Sequence, residues 1–169
     1  NFGVSIKLDK VYQMMDKIDD KAIEKIKNIS YKNTAKLFED KIDIIFFDCT
    51  TLYFEAFEED ELREKGYSKD KKFNEVQVLF ALMVTKEGLP IGYEIFKGST
   101  YEGHTLIPMI KDFQEKYKID KILIVADAGM MNKDNIAKLE DENIEYIIGC
   151  RIKNLNQELQ NKILNHSNY

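Results

Sequence analysis

The sequence is short of the residues on which disulfide-linked and zinc-binding proteins depend. Its 169 residues include two cysteines, Cys49 and Cys150, and two histidines, His104 and His166. The cysteines have neither disulfide-framework nor metal-ligand spacing and each follows an apolar run, so we expect buried thiols and no zinc site. Free thiols of this kind are typical of a cytoplasmic protein.

Arginine and long apolar runs are also scarce. Two of the 25 basic residues are arginine, Arg63 and Arg151. Because arginine is the usual reader of guanine edges, base-specific recognition by this segment alone is not expected. No apolar run approaches the roughly 20 residues of a membrane helix and the start has no secretory pattern, so no membrane partner is expected. The chain begins at Asn1 without Met, and we expect a fragment of a longer protein.

The rest of the composition is typical of a soluble globular domain. Hydrophobic residues make up 44% and charged residues 33% of the chain. A single domain of this length buries about 70% of its unfolded surface. The formal net charge of −5 argues against binding of nucleic acid by charge alone, although an enzyme with a locally basic face is compatible with it.

Five apolar runs predict the strands of a mixed α/β sheet. The first is nearly unbroken, which favours a strand covered on both faces. The second and third are joined by a short turn, which predicts an antiparallel hairpin. The fourth and fifth are separated by a helix that Asn132 can cap, and such a crossover requires parallel pairing. The runs cover residues 42–49, 76–84, 91–96, 121–127 and 143–149.

Helical patterns flank these strands. Residues 1–40 form a predicted helical lead-in, and apolar spacing from Leu106 to Tyr117 predicts a helix between the third and fourth strands. We therefore divide the chain into the lead-in, an α/β core over residues 41–153 and a polar tail over residues 154–169. The tail starts like a helix and fades, as the truncated start of an inserted segment would.

Two of the apolar runs end in an acid. Asp48 lies near the end of the first run and Asp127 ends the fourth. If these strands are parallel neighbours, the two carboxylates lie at the same edge of the sheet. Adjacent carboxylates repel one another unless a cation lies between them, and Mg²⁺ suits an all-oxygen site with few protein ligands. Because Mg²⁺ ions can activate a water or hydroxyl and stabilise the leaving oxygen of a phosphodiester, the pair indicates metal-assisted phosphoryl transfer.

Basic residues near the strands are candidate contacts to DNA phosphates. Three belong to a charged connection after the first strand, and two follow the fifth strand. A lysine-rich segment of this kind can face a phosphate backbone, while a solvated surface is the simpler interpretation. The candidates are Lys69, Lys71, Lys72, Arg151 and Lys153.

Several short motifs carry a resemblance to a known family. Residues 47–55, Phe-Asp-Cys-Thr-Thr-Leu-Tyr-Phe-Glu, resemble the first acidic motif of the IS4 superfamily of DDE transposases, most closely its IS1634-type members. The resemblance continues in the expected order through residues 66–70, 88–93, 96–100 and 127–130. Each motif alone is weakly specific, whereas the ordered set is specific.

The resemblance implies a fold, an activity and a cofactor. The fold is ribonuclease H-like. The activity is a DNA transposition reaction that depends on Mg²⁺, with Mn²⁺ as a substitute, and that cleaves transposon ends and joins them to target DNA. Asp48 and Asp127 would be the first two members of an acidic triad that binds the metal. The full-length protein could act as a homodimer.

The third acid of the triad has no match in this chain. In the family it is a Glu on a later helix, with a Tyr, an Arg and a Lys nearby. The late acids that lack this setting are Glu142, Glu145 and Glu158. We therefore expect the third acid beyond Tyr169, and an incomplete catalytic core that is inactive alone.

Two other functions fit parts of the sequence. A haloacid-dehalogenase-like phosphatase would use Asp48 as its nucleophile, but it usually has a second acid two residues on, where this chain has Thr50. A catalytically dead transposase remnant would act only in DNA or protein binding. An acid-labile phosphoenzyme at Asp48 would favour the phosphatase, and metal-dependent DNA nicking by the full-length protein would favour the transposase.

Overall fold

A computed structural model of the chain describes residues 5–39, 42–56, 58–66, 75–119 and 121–165. Within these ranges, five strands form one mixed sheet with helices packed against it. The strands are β1 (Ile44–Phe54), β2 (Val76–Thr85), β3 (Pro90–Lys97), β4 (Leu123–Ala126) and β5 (Glu145–Ile148). The α-helices are α1 (Leu8–Met15), α2 (Asp20–Leu37), α3 (Leu106–Tyr117), α4 (Lys133–Asp141) and α5 (Gln157–Leu164).

The strand order of the sheet is β3-β2-β1-β4-β5. β2 pairs antiparallel with β1 and with β3, whereas β4 pairs parallel with β1 and with β5. The tight turn between β2 and β3 uses Gly88, whose φ of 81° suits a residue without a side chain. The predicted hairpin and the parallel crossover from β4 to β5 are confirmed, and the condition that β1 and β4 are parallel neighbours is met.

β1 is longer than the apolar run predicted. The strand continues to Phe54 because it stays paired with β2 until Phe54 lies opposite Val76. Asp48 therefore lies inside β1 rather than at its end. β4 is the shorter neighbour and stops at Ala126, opposite Phe47. The two acids thus meet where β4 ends beside the middle of β1.

The hydrophobic core lies between the sheet and the helices α2, α3 and α4. Alternate residues of β1 point into this core, and Ile45 and Phe47 are 0% and 2% exposed. α3 contributes Leu106, Ile110 and Phe113 from one side of the helix, at the spacing of an amphipathic helix. This layer holds the central strands, and with them the acids, in a fixed position.

The opposite face of the sheet is uncovered in the part of the chain that the structure describes. This open face carries Phe46 and Ile147, which are 42% and 59% exposed, together with the partly buried Val84 and Val125. The prediction that the first strand is covered on both faces is therefore wrong for Phe46. The physical reason is that α2, α3 and α4 all pack on the same side of the sheet.

The two ends of the described chain are helical. Asp19 caps α2 by accepting a hydrogen bond from the backbone N–H of Ala22, and α2 packs on β3 and buries Thr34 and Ala35. After β5 the chain forms a short 3-10 helix (Ile152–Asn154) and then α5. No helix of the described ranges combines the length and the hydropathy needed to cross a membrane. The segment boundaries at residues 40 and 153 stay predictions.

Candidate active site

The parallel register of β1 and β4 brings Asp48 and Asp127 together. Because Phe47 is paired with Ala126, the next residue on each side is Asp48 and Asp127. Neighbouring strands lie about 4.8 Å apart, and residues at one level of a parallel ladder share a face of the sheet. Both side chains line one cavity of about 480 Å³ on the open face. These two residues are called the acid pair below.

Backbone N–H groups orient both carboxylates of the acid pair. The N–H of Cys49 donates to Oδ1 of Asp48 at 2.8 Å, and the N–H of Gly129 donates to Oδ1 of Asp127 at 2.7 Å. Each Oδ2 accepts no hydrogen bond from a described residue. Both side chains are exposed. Each acid is therefore held through one oxygen and keeps the other available to a ligand.

Gly129 brings a third carboxylate close to the acid pair. A Cβ atom at Gly129 would lie 2.9 Å from Oδ1 of Asp127 and 3.3 Å from Oε2 of Glu102. Both oxygens therefore lie against the space that a side chain at this position would need, which favours glycine here. No role was predicted for Glu102 from the sequence. The only available signal was an acid before a predicted helix, which is too common to indicate a site.

The pKa of the Cys49 thiol reflects both its burial and the negative charge around it. Burial raises the pKa of Cys49 to about 11, and the charges of Glu102, Asp48 and Asp127 raise it further, against a 3.1 Å contact with the hydroxyl of Thr105 that lowers it. The raised pKa disfavours the thiolate, which is the form of cysteine that acts as a nucleophile or a metal ligand. Three carboxylates thus lie around one half-buried, neutral side chain.

The donors of the acid pair suit a hard divalent cation. Carboxylate oxygens are the ligands that Mg²⁺ prefers, and Mg²⁺ usually takes one or two carboxylates together with waters and substrate phosphates. In the described ranges no three His, Cys, Asp or Glu side chains come close enough to bind one ion together. The acid pair therefore offers two ligands, each with an oxygen that lacks a hydrogen-bond partner among the described residues, at a surface that water can reach.

The predicted DNA contacts fall into two groups. Arg151 and Lys153 are exposed and follow β5. Since Ile148 is paired with Ala126, this segment leaves the sheet at the same edge as the acid pair. The other three candidates, Lys69, Lys71 and Lys72, lie outside the described residues, and their contacts stay predictions.

The late acids lie away from the acid pair or in the tail. Glu142 forms an ion pair with Lys111 at 2.6 Å beyond the end of α4. Glu145 begins β5 opposite Leu123, at the far end of the strand from Asp127. Glu158 lies in the first turn of α5. These positions agree with the interpretation that none of the three acids completes the triad, which stays a prediction.

The chain matches the transposase DDE domain family over residues 39–169. The match covers more than half of the chain, and the protein belongs to this family. Family membership and the strand order together confirm the ribonuclease H-like α/β fold. The closer likeness to the IS4 superfamily stays a resemblance. A search of curated proteins found none that matches this chain.

Several solved structures are also similar to this chain. The Mos1 transposase paired-end complex with left transposon end shares 17% identity at a TM-score of 0.42, over 76% of this chain and 42% of that one. The Mos1 mariner paired end complex with Mn shares 18% at a TM-score of 0.39, over 76% and 42%. LC11-RNase H1 in complex with RNA/DNA hybrid shares 15% at a TM-score of 0.34, over 70% and 94%. The chain thus spans 42% of the length of the Mos1 chains.

Proposed function

We propose that this chain is part of a DNA transposase that cleaves transposon ends and joins them to target DNA. Asp48 and Asp127 are the residues that hold its divalent cations. The observation that carries the proposal is the acid pair itself, two carboxylates at one level of neighbouring strands in a member of the transposase DDE domain family. The metal of this function is Mg²⁺, and Mn²⁺ substitutes for it.

The residues of the chain have separate tasks in this function. When bound, Mg²⁺ supplies the positive charge that polarises a phosphodiester and activates a water or hydroxyl. Asp48 and Asp127 provide the ligand oxygens, and the N–H groups of Cys49 and Gly129 keep these carboxylates in one orientation. Glu102 adds negative charge beside Asp127 and so increases the attraction of the site for a cation.

The third acid of the triad belongs, in this proposal, to a part of the longer protein outside these residues. Two carboxylates alone make a weak site, so the chain by itself is expected to be inactive. The open face borders the acid pair, and its exposed Phe46 and Ile147 offer an apolar surface on which an additional element can pack. Such an element would bring the third carboxylate to the edge of this surface.

DNA is the partner that this function requires, at both the transposon end and the target. Arg151 and Lys153 are the described candidates for contacts with its phosphates, and Lys69, Lys71 and Lys72 are the candidates outside the described residues. A homodimer of the full-length protein and a cytoplasmic location belong to the same proposal.

Of the alternatives, the catalytically dead remnant keeps the same fold and the same family. A full-length protein that binds transposon-end DNA but never nicks it would favour the remnant. The phosphatase alternative gains no support from the match to the transposase DDE domain family. It predicts an acid-labile phosphoenzyme at Asp48, which the transposase does not form.

The acid pair can be tested in the full-length protein with its own terminal DNA. We expect Asp48→Asn and Asp127→Asn each to lower Mg²⁺-dependent strand cleavage by more than about a hundredfold, because even the partners of metal ligands are worth 10- to 100-fold. A gel assay of a labelled transposon end measures the nicked product. Far-UV circular dichroism checks that both variants fold.

The matched control is Glu145→Gln, which removes a carboxylate at the far end of β5. This variant is expected to cleave at the wild-type rate. Cleavage that survives in either Asp variant would overturn the assignment of the acid pair, whatever the control does.

A further inference from the structure

A second cavity, of about 500 Å³, lies next to the acid pair. Ala128, the residue after Asp127, forms part of its wall, and the rest comes from one side of α4, from Tyr101 and from the segment after β5. The level pairing of Ile148 with Ala126 puts this segment at the edge of the sheet where the acids lie. A group bound in the cavity would therefore be a close neighbour of a phosphate bound at the acid pair.

The size and the lining of this cavity suit a small flat group. Its volume lies within the roughly 300–1,000 Å³ of ordinary ligand pockets. Ile136 and Ala137 of α4 and Leu155 after the 3-10 helix provide apolar surface. Asn154 also lines the cavity, and its side-chain amide forms no hydrogen bond with a described residue. An apolar wall with a polar amide matches the face and the edge of a nucleobase.

Tyr101 gives the cavity an aromatic surface that is held in place. Its ring packs edge-on against the ring of His104, with centroids 5.3 Å apart and planes at 83°. A Cβ atom at Gly103 would lie 2.5 Å from Cε1 of Tyr101, so the glycine makes room for the ring. Tyr101 is still 57% exposed. A fixed and accessible tyrosine is a platform on which a base can stack.

The charge of the cavity is opposite to that of the chain. Arg151 and Lys133 line it, and neither forms an ion pair with a described residue. Glu140 is the acid of the lining, and it accepts a hydrogen bond from the hydroxyl of Tyr146 at 3.1 Å. Two cations and one acid in a protein with a net charge of −5 make a local site for an anionic ligand.

We propose that this cavity binds one nucleotide of the DNA strand that is cut at the acid pair. The base stacks on Tyr101 against the apolar wall, and the cations Arg151 and Lys133 contact the phosphate groups on either side. This inference rests on the proposed function and extends it with a place for a single unpaired base. Stacking of one base on an aromatic side chain is worth about 5- to 150-fold in affinity.

The two cysteines allow the cavity to be tested with the chain as it is. Cys150 is exposed and lies in the cavity wall, whereas Cys49 is half-buried and its thiol contacts the hydroxyl of Thr105. Iodoacetamide should therefore alkylate Cys150 faster than the less accessible Cys49. A single-stranded oligodeoxynucleotide of about eight bases is the probe. EDTA is present to remove divalent cations, so that no metal ion at the acid pair contributes to DNA binding. At saturation we expect it to slow the alkylation of Cys150 at least about tenfold.

Variants identify the cavity as the cause of this protection. Tyr101→Ala removes the platform, Arg151→Gln removes a cation, and Ala137→Leu fills the cavity without a change of charge. Each should raise the oligonucleotide concentration for half-protection by about fivefold or more. Tyr101→Phe keeps the ring and should behave as the wild type. Lys86→Gln, in the turn of the hairpin, removes an exposed cation elsewhere and should have a much smaller effect.

Two results would overturn the proposal. One is alkylation of Cys150 that the oligonucleotide does not slow. The other is protection that Tyr101→Ala, Arg151→Gln and Ala137→Leu all leave unchanged, since this would locate the DNA on another surface. The outcome is separate from that of the acid pair. If the oligonucleotide protects Cys150 but the Asp48 and Asp127 variants still cleave DNA, the proposed function is refuted and nucleotide binding in the cavity stands. If the two Asp variants lose cleavage but Cys150 is not protected, only nucleotide binding in the cavity is refuted.

Discussion

The two faces of the sheet differ in what they do for the molecule. On one face Ile45 and Phe47 of β1 are buried under the helices. On the other face their neighbours in sequence, Phe46 and Asp48, are exposed. Because side chains alternate along a strand, one segment of chain serves both faces at once. The buried row anchors β1 in the core, and the open row presents the carboxylate of Asp48 from this anchored strand.

This difference explains why the fold is stable although it holds two mutually repelling carboxylates side by side. Asp48 and Asp127 repel each other, but neither contributes to the core that holds the strands together. The packing of the covered face offsets the free-energy cost of this repulsion, and that packing does not depend on the two charges. A substitution on the covered face should therefore affect folding, and one on the open face should affect binding.

The largest expected effect comes from a matched pair of isoleucines. Ile124→Ala removes a side chain that is 0% exposed and should lower the free energy of unfolding by about 2–5 kcal/mol. Ile147→Ala removes one that is 59% exposed and should cost less than about 1 kcal/mol. Urea denaturation of both variants measures the difference. Equal losses would mean that the open face is covered in solution.

A smaller effect is expected from Gly129→Ala, which separates binding from stability. The new Cβ would lie 2.9 Å from Oδ1 of Asp127, so the carboxylate must move away from its backbone N–H partner. We expect Mn²⁺ affinity to fall roughly tenfold, as for other groups that orient metal ligands, with little change in unfolding.

The control for this variant is Gly92→Ala in β3. There the new Cβ would meet Phe113 at 3.4 Å and no carboxylate. Its Mn²⁺ affinity should match the wild type in a titration of the water proton relaxation rate. An unchanged affinity in Gly129→Ala would contradict the account of how Asp127 is held.

A further expected effect is a pH dependence of stability that arises from Cys49. Its folded pKa of about 11 lies above the ordinary value of 9.0, mainly because of burial. Because the pKa is raised in the folded state, the unfolded chain loses the thiol proton at a lower pH than the folded chain does. The contribution of Cys49 to the free energy of unfolding is therefore present below pH 9 and is lost as the pH rises towards 11. Cys49→Ala should flatten the decline of unfolding free energy over this range. A decline identical to that of the wild type would assign it to other groups.

The sequence predicted the sheet well because apolar runs report burial directly. The runs at residues 42–49 and 121–127 predicted two strands with Asp48 and Asp127 near their ends, and the helix between the fourth and fifth strands predicted the parallel pairing of those two strands. The parallel contact of the first and fourth strands, on which the acid pair depends, was a condition that the sequence alone did not establish and that the structure meets. The assignment of the acid pair to a metal and to DNA still depends on the proposed function.

Other features depend on contacts between distant segments, which single-sequence patterns do not report. β1 continues to Phe54 because β2 pairs with it, although residues 50–54 have no long apolar run. Glu102 reaches the acid pair because Gly129 lacks a side chain. The open face was mistaken for a buried one because a run of apolar residues does not show which of its two faces a helix will cover.

The most direct test of the central claim is a Mn²⁺ titration of the isotope-labelled chain followed by NMR. We expect weak binding, with a Kd of roughly 10⁻³ M, and paramagnetic broadening that begins at residues 47–49 and 126–130 and is reversed by Mg²⁺. Asp48→Asn should remove this broadening, and signals of the hairpin turn near Lys86 should stay sharp throughout. Broadening that starts instead at the acidic residues 58–61, or that shows no localisation, would contradict the claim that Asp48 and Asp127 form the metal site.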